Sequence, residues 1–290
     1  MSTVVVAGAS GYLGTFLVSA YLARGWKVRA LVRNAPRAEA RGLAREQIVV
    51  ADATDPESLR GTMEGATLVV SALGITRQRD GLSYRDVDYQ ANVHLLNEAL
   101  AAGVPRFCYV HVMNARAMAN VSLVAAKQAF VDVLRAAPLR STVVCPSGYF
   151  SDMEDFLSMA RSGRVWLFGS GTLRLNLIHG ADLAEAVVDA VETGRETLEV
   201  GGTDTFTQQD LARLAFKALG KPPAISSLPD WIRRTVLRIL PVATPRDIRG
   251  PAQFFLTAMG RDMVGDSYGN RHLAEHFRSV VTGIIEGVGR

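Results

Sequence analysis

The sequence predicts an α/β protein: a doubly wound parallel sheet with a smaller C-terminal lobe. Short apolar, β-branched runs alternate with helical patterns along residues 1–150, and this alternation is typical of parallel sheets with helices on both faces. A glycine-rich turn follows the first strand directly. With 290 residues, 48% of them hydrophobic, the chain is long enough to bury a large core.

The first strand, residues 3–7, leads into the pattern Gly8-x-x-Gly11-x-x-Gly14, and a helical pattern follows until Gly25. In such a strand–turn–helix unit, Gly8 permits the sharp turn, Gly11 lets the backbone approach a pyrophosphate, and Gly14 lets the helix pack closely. Free N–H groups at the helix start would receive the phosphates. The pattern predicts a Rossmann-type dinucleotide site rather than a purely structural turn. The predicted contacts here are Gly8, Ser10, Gly11, Tyr12, Leu13 and Gly14.

The end of the second strand, residues 27–32, indicates which dinucleotide is preferred. A site for NAD would place an acidic residue there to bind the ribose 2′-hydroxyl, but this sequence has Arg33-Asn34, with Arg37 close behind. Because a guanidinium can bind a 2′-phosphate with two hydrogen bonds, NADP(H) is favoured over NAD(H). The alternative is that Arg33 is simply an exposed arginine at a strand end.

The following elements place further residues at the same edge of the sheet. After a third strand (48–51), Asp52 and Ala53 are predicted to contact adenine, although Asp52 could equally stabilise its own turn before the helix at Pro56. The later strands are predicted at 67–72, 107–112 and 141–145, with helices at 86–102 and 123–134. The ends of the fourth and sixth strands provide the other cofactor contacts predicted at this edge. They are Ser71, Ala72, Leu73, Gly74, Pro146, Ser147 and Gly148.

Five segments together resemble the short-chain dehydrogenase/reductase superfamily on its atypical, extended, NmrA-like side. That group includes isoflavone-reductase-like enzymes and the NAD(P)-binding subunit of respiratory complex I. The resemblance implies an NADP(H)-binding core over residues 1–150 and a smaller substrate or lid lobe over 151–290, with segments returning to the core. The segments are the glycine motif, residues 88–92 (DYQAN), Lys127, residues 146–150 (PSGYF) and residues 176–184 (NLIHGADLA).

The sequence departs from the superfamily at the catalytic positions. Ordinary members use Tyr-x-x-x-Lys together with a serine at the end of the fifth strand. Here Leu123 stands four residues before Lys127, and His111 stands at the serine position. Lys127 is expected to bind the ribose hydroxyls, with a role as an acid as the alternative. His111, beside the expected nicotinamide, and Tyr149 are the other candidate proton donors, and for both a packing or pocket-lining role is the alternative.

These features predict an NADP(H)-dependent oxidoreductase that reduces a carbonyl or an activated double bond of a small organic substrate. The alternative is a catalytically silent NAD(P)H-binding sensor, regulator or assembly protein.

Residues 272–276 (HLAEH) fit an inverted zincin pattern. Because a third ligand is lacking, they are predicted to be a polar helix face, and no metal is expected.

Composition and charge limit the classes of partner and the compartment that we expect for this chain. The net charge of +4 is spread along the chain, so nucleic acid is not expected as a partner. Cys108 and Cys145 fall in predicted strands, which indicates reduced core thiols and a cytoplasmic protein. No leader or integral membrane segment is expected, and the chain is expected to be a monomer or dimer. Residues 230–240 carry apolar residues on one side and Arg233, Arg234 and Arg238 on the other. This pattern predicts a lid over the substrate lobe with a solvated basic face, and the alternative is a peripheral contact with a membrane or a partner.

Overall fold

The computed structural model describes residues 2–75 and 81–283, leaving aside the side chains of 246–248. Its centre is an eight-stranded sheet whose paired strands are all parallel, so the predicted doubly wound fold is confirmed. In spatial order the strands are β3 (Ile48–Val50), β2 (Lys27–Val32), β1 (Thr3–Ala7), β4 (Leu68–Ser71), β5 (Arg106–Val110), β6 (Arg140–Pro146), β9 (Thr197–Gly201) and β12 (Asp266–Ser267).

Four short strands form two small sheets beside the main one. They are the antiparallel pair β8 (Arg174–Leu175) and β10 (Phe206–Thr207), and the parallel pair β7 (Val165–Phe168) and β11 (Ile225–Leu228). The helices are α1 (Tyr12–Ala23), α2 (Ala35–Glu39), α3 (Pro56–Leu59), α4 (Asn92–Ala101), α5 (Ser122–Ala136), α6 (Glu154–Arg161), α7 (Gly180–Glu192), α8 (Gln208–Ala218), α9 (Asp230–Ala243), α10 (Arg246–Ala258) and α11 (Leu273–Thr282).

The helix predicted over residues 86–102 does not begin as an α-helix. Residues Arg85–Ala91 form a π-helix, and α4 continues from Asn92. The Asn92 side-chain amide donates to the carbonyl oxygens of Val87 and Asp88. Its oxygen accepts a hydrogen bond from buried Ser71. The Asn92 side chain thus donates hydrogen bonds to two backbone carbonyl groups at the start of the helix, and it links this turn to the end of β4.

Both faces of the main sheet are covered. Alternate strand residues point to opposite faces, so Val4 and Val6 pack with α1 and α7, whereas Val5 and Ala7 pack with α4 and α5. Cys108 and Cys145 are buried and free, as expected for core thiols. Helices therefore pack on both faces of the main sheet, and in folds of this kind ligands bind outside the carboxyl ends of the strands.

A third apolar cluster forms the C-terminal lobe around α6, α8 and α11. Leu123 and Met113, from the first half of the chain, pack in this cluster, so the division of the chain at residue 150 stays a prediction. Within the described ranges, no helix combines the length and the apolar character that crossing a bilayer requires.

Candidate dinucleotide-binding site

The glycine motif forms a tight loop between β1 and α1. Gly8 has φ +77°, a left-handed conformation that favours glycine. Its carbonyl oxygen accepts a hydrogen bond from Gly11 N at 2.9 Å. A Cβ on Gly8 would lie 3.0 Å from the Ala72 carbonyl oxygen, so the loop touches the end of β4. A Cβ on Gly14 would overlap Gly8 O, and this close packing explains the third glycine.

The start of α1 is suited to an anion. It has no side-chain cap, and its first turn contains no acidic residue. The N–H groups of a first helical turn lack partners within the helix, and the helix dipole favours negative charge there. At Gly11, a Cβ would meet only Gly8 O, at 3.1 Å, and its other side is open. These features fit a dinucleotide pyrophosphate.

Three arginines surround the end of β2. Arg33 and Arg37 are exposed, and Asn34 caps α2 by accepting a hydrogen bond from Arg37 N at 2.9 Å. Arg41, which no sequence motif singles out, donates to the carbonyl oxygen of Ser10 in the glycine loop. Among the described residues, none of these three arginines pairs with a carboxylate. Their guanidinium groups are therefore available for a phosphate.

Asp52 and Ala53 are engaged locally. The Asp52 carboxylate accepts from Thr54 N at 2.9 Å and from Thr54 Oγ1 at 2.7 Å. The Ala53 carbonyl oxygen lies 3.0 Å from His94 Nδ1. The structure thus gives Asp52 the turn-stabilising role, and a contact with adenine stays a prediction.

Lys127 lies in a polar cluster beneath the end of β4. Its Nζ is 3.4 Å from Asp88 Oδ1 and 3.4 Å from Tyr109 Oη, and it donates to the Val110 carbonyl oxygen at 3.3 Å. Asp88 is completely buried, and this burial raises the pKa of its carboxyl group to about 6 despite the Lys127 ammonium. A Cβ on Gly74 would lie 2.6 Å from Asp88 Oδ1, so glycine is required where the segment after β4 passes over the pair.

Ser71, Ala72 and Leu73 connect this cluster to the glycine loop. Ser71 Oγ donates to Asn92 Oδ1 at 2.5 Å and accepts from Leu73 N at 3.3 Å. Ala72 N donates to the Ala7 carbonyl oxygen at 3.1 Å. Lys127 and the glycine loop therefore flank the same strand end.

His111 follows β5 directly and is buried against α5. It is 4% exposed and lines a cavity of about 350 Å³ against α5, β6 and β9, and none of the predicted cofactor contacts lines this cavity. Its Nε2 is 3.1 Å from Gln128 Oε1, and the Gln128 amide in turn donates to Asp132. Burial, and secondarily the Lys127 charge, lowers the pKa of His111 to about 4. A role for His111 beside the nicotinamide stays a prediction.

The segment after β6 turns toward α1. The Tyr149 ring packs edge-on against Tyr12, with centroids 5.5 Å apart, and burial raises the pKa of Tyr149 well above its ordinary value. Ser147 Oγ donates to the Asn176 carbonyl oxygen at 2.7 Å, so its hydroxyl ties β6 to the following lobe. Pro146 pairs with Val200 in the sheet, and Gly148 has φ +141°. Only the backbone and the Tyr149 ring of this segment stay available to a ligand near α1.

The two histidines of the zincin-like pattern face separate partners. His272 Nδ1 lies 2.8 Å from Asp204 Oδ2, and His276 Nε2 lies 3.4 Å from Glu154 Oε1. In the part of the chain that the structure describes, no group of three potential ligands could hold a metal ion. The arrangement gives no support to a zinc hydrolase.

The ionisation of Asp88 and that of His111 should change the free energy of unfolding with pH in opposite directions. The pKa of Asp88 rises from 3.8 to about 6 on folding, so its contribution to stability falls as pH rises through that window. The pKa of His111 falls from 6.5 to about 4, so its contribution grows between about pH 4 and 6.5. Each shift corresponds to on the order of 3 kcal/mol.

We therefore expect Asp88→Asn to steepen the rise in stability between about pH 4.5 and 6.5, and His111→Asn to flatten or reverse it. Urea unfolding of the wild type and both variants across this range measures the slopes. Three parallel pH profiles would show that neither group titrates as its burial predicts.

Comparison with known proteins identifies the family of the chain. The NmrA-like family model matches residues 1–266. The chain is 28% identical to a chloroplastic divinyl chlorophyllide a 8-vinyl-reductase of Zea mays, over 82% of this chain and 65% of the relative, less than two thirds of its length. It is 25% identical to the photosystem II assembly factor Ycf39 of Guillardia theta, over 78% of this chain and 73% of that protein.

Among solved structures, the fold is similar to that of the NADPH-dependent quinone oxidoreductase QOR2 of Escherichia coli, complexed with NADPH. The TM-score is 0.77 at 18% identity, covering 96% of this chain and 99% of that one. The glycine loop, the parallel sheet and the match over most of the chain lead to one conclusion. This chain belongs to the NmrA-like family of NAD(P)-binding proteins, which confirms the predicted resemblance.

Proposed function

We propose that this protein binds NADP(H) and reduces a carbonyl or an activated double bond of a small organic substrate. The observation that carries the proposal is the Lys127–Asp88 pair, which lies beneath Gly74 at the strand end that the glycine loop also touches. Asp88 is buried, whereas the Lys127 side chain is 12% exposed. A buried ion pair adds little to stability, because desolvation offsets most of its attraction. Perturbed carboxylates of this kind concentrate at functional sites.

The binding role is divided among three groups of residues. The open side of Gly11 and the first turn of α1 would receive the pyrophosphate. Arg33 and Arg41 would bind the 2′-phosphate, since both lie by the glycine loop or the end of β2. Lys127 would hold the nicotinamide ribose. When bound, the reduced dinucleotide supplies the hydride.

Lys127 is also the strongest candidate for moving a proton at its Nζ. His111 faces a separate cavity, and burial keeps it neutral. Tyr149 holds its proton tightly for the same reason. Asp88 and Tyr109 fix the Lys127 ammonium from two sides, at 3.4 Å each. We therefore assign Asp88 as a positioning residue for Lys127. The maize relative is itself named a reductase, which agrees with this assignment.

A second function, an NADP(H)-binding regulator or assembly protein, is favoured by Leu123. This side chain is 7% exposed and packs in the C-terminal apolar cluster. It stands at the position where ordinary members of the short-chain dehydrogenase/reductase superfamily carry the proton-transferring tyrosine. The Guillardia theta relative is named an assembly factor. Mixing the purified protein with NADPH and a panel of quinones, enones and ketones separates the two functions. Oxidation of NADPH that depends on substrate supports the reductase, whereas tight NADPH binding with no turnover supports the regulator.

Cofactor preference gives a second prediction. We expect NADPH to bind more tightly than NADH, and Arg33→Glu to reverse the order, because glutamate repels the 2′-phosphate and accepts from a 2′-hydroxyl. Arg41→Gln should weaken NADPH binding by about 10- to 100-fold, the loss of a charged hydrogen bond worth about 1.5–3 kcal/mol. Calorimetric titration with both dinucleotides measures this.

Arg45→Gln is the matched control, since Arg45 follows the same segment but pairs with Glu39 at 2.9 Å and is exposed. NADPH affinity should be unchanged in this variant. Equal affinity of the wild type for NADPH and NADH would exclude a 2′-phosphate site at these arginines.

A further inference from the structure

Exposed apolar side chains concentrate on helix α9. Of the eight large apolar residues that are exposed in the described chain, Trp231, Val236, Ile239 and Val242 lie on this one helix. Trp231 is 65% exposed and Val242 is 90% exposed. Single exposed apolar residues are ordinary, but several on one helix indicate a contact surface.

The helix is oriented by one buried arginine. Arg233 is 9% exposed, pairs with Asp230 at 2.7 Å and donates to the Leu256 carbonyl oxygen on α10. Leu240 is the other buried residue of α9. From the sequence, all three arginines are predicted to lie opposite the apolar side of the helix. That expectation was wrong: Arg233 faces inward, and the apolar residues face outward beside the other two arginines.

Helical spacing brings the outward residues together. Trp231, Arg238 and Val242 are separated by seven and four residues, so they recur on one face. Ile239 and Arg234 flank this line. We call these five residues the outer stripe of α9.

A second exposed tryptophan extends the surface. Trp166 on β7 is 49% exposed, and Arg164 stacks over its ring at 5.7 Å. The β7 strand leads to Gly169, whose Cβ would lie 3.9 Å from Asp230 Cβ at the start of α9. Two of the chain's three tryptophans therefore lie exposed at the same end of the lobe, whereas Trp26 is buried. Tryptophan is favoured where one side is apolar and the other wet.

The charges of this surface are positive. Asp230 is the only acidic residue of α9, and both Arg233 and Arg234 pair with it at 2.7 Å. Within the described residues, Arg238 has no carboxylate partner. Apolar anchors beside arginines, with no free carboxylate on the helix, are the composition of a helix that lies at an anionic lipid interface.

We propose that the outer stripe of α9 binds the surface of an anionic membrane. The Trp231, Ile239 and Val242 side chains enter the boundary between headgroups and acyl chains, and Arg234 and Arg238 contact the lipid phosphates. The helix lies in the plane of the interface and keeps its inner side on α10. The site of the dinucleotide remains on the main sheet, so lipid binding does not depend on the proposed reductase activity.

The test is flotation of the full chain with vesicles of phosphatidylcholine mixed with phosphatidylglycerol, and with vesicles of phosphatidylcholine alone. We expect binding to the mixed vesicles only, decreasing as salt screens the arginines. The Trp231→Ser/Ile239→Ser variant should lower the partition coefficient by more than about 10-fold. Each of Arg234→Gln and Arg238→Gln should lower it by about 5-fold.

The matched control is Leu22→Ser/Val50→Ser, which removes two exposed apolar residues from the main-sheet half of the chain and should leave binding unchanged. Thermal unfolding confirms that each variant is folded. The proposal is overturned if the wild type does not float with the mixed vesicles, or if the control loses as much binding as the α9 variants. A dimer in light scattering that the same α9 substitutions dissociate would instead assign the stripe to a second copy of the chain.

Discussion

Replacing Lys127 should lower the single-turnover rate of substrate reduction by about 10²–10⁴-fold at saturating NADPH, the usual contribution of a positioned proton donor. NADPH affinity should fall less, by about 10- to 100-fold, because one charged hydrogen bond to a ribose hydroxyl is worth about 1.5–3 kcal/mol. Affinity and rate measured on the same variant separate the two effects. If Lys127 only holds the ribose, a saturating cofactor concentration will restore the rate.

The choice of variant matters because Asp88 is completely buried. Lys127→Ala alone would leave that carboxylate without its cation, which typically costs about 3–5 kcal/mol. The double variant Asp88→Asn/Lys127→Met removes both charges and keeps similar volumes, so we expect it to stay folded. Thermal unfolding of the double variant checks this before its rate is compared with that of the wild type. Full turnover by the double variant would exclude Lys127 from the chemistry.

Leu123→Tyr tests the missing tyrosine. The change restores the Tyr-x-x-x-Lys spacing on α5, but Leu123 is packed in an apolar cluster and His111 still stands at the serine position. We expect little gain in ketone reduction. A large gain from this single substitution would show that only the tyrosine was lacking.

Gly11→Val should abolish dinucleotide binding while the fold is retained. A Cβ at this position meets only Gly8 O, at 3.1 Å, so the loop can hold it with a small adjustment. The rest of the side chain extends to the open side, where the pyrophosphate would lie. We expect affinity for NADPH to fall by at least about 100-fold, equivalent to about 3 kcal/mol, with an unchanged melting temperature.

Gly14→Ala provides the contrast. Its Cβ would overlap Gly8 O and lie 2.7 Å from Ala9 Cα, so α1 must move away from the loop. Overpacking of this kind typically costs about 1–3 kcal/mol, and we expect a lower melting temperature. Unchanged NADPH affinity in Gly11→Val would place the pyrophosphate elsewhere.

Much of the fold follows from local patterns. The strand, turn and helix at residues 3–23 are each encoded by neighbouring residues, and six strands of the main sheet lie close to where apolar runs predict them. The strands β9 and β12 were not predicted. β12 is only two residues long, and both strands form by pairing with distant parts of the sheet. Local sequence carries little information about such pairing.

The sequence by itself determined the parallel α/β fold and the glycine loop, because these depend on spacing along the chain. Only the tertiary structure decided what surrounds them. Asp88 lies beside Lys127, although 39 residues separate them in the sequence. Arg41 contacts Ser10 in the glycine loop. His111 lines a cavity that none of the predicted cofactor contacts lines. The tertiary structure also placed Trp231 outside and Arg233 inside α9. These outcomes depend on how helices pack against the sheet and the lobe, and contacts between residues distant in sequence are not encoded by residue type or periodicity.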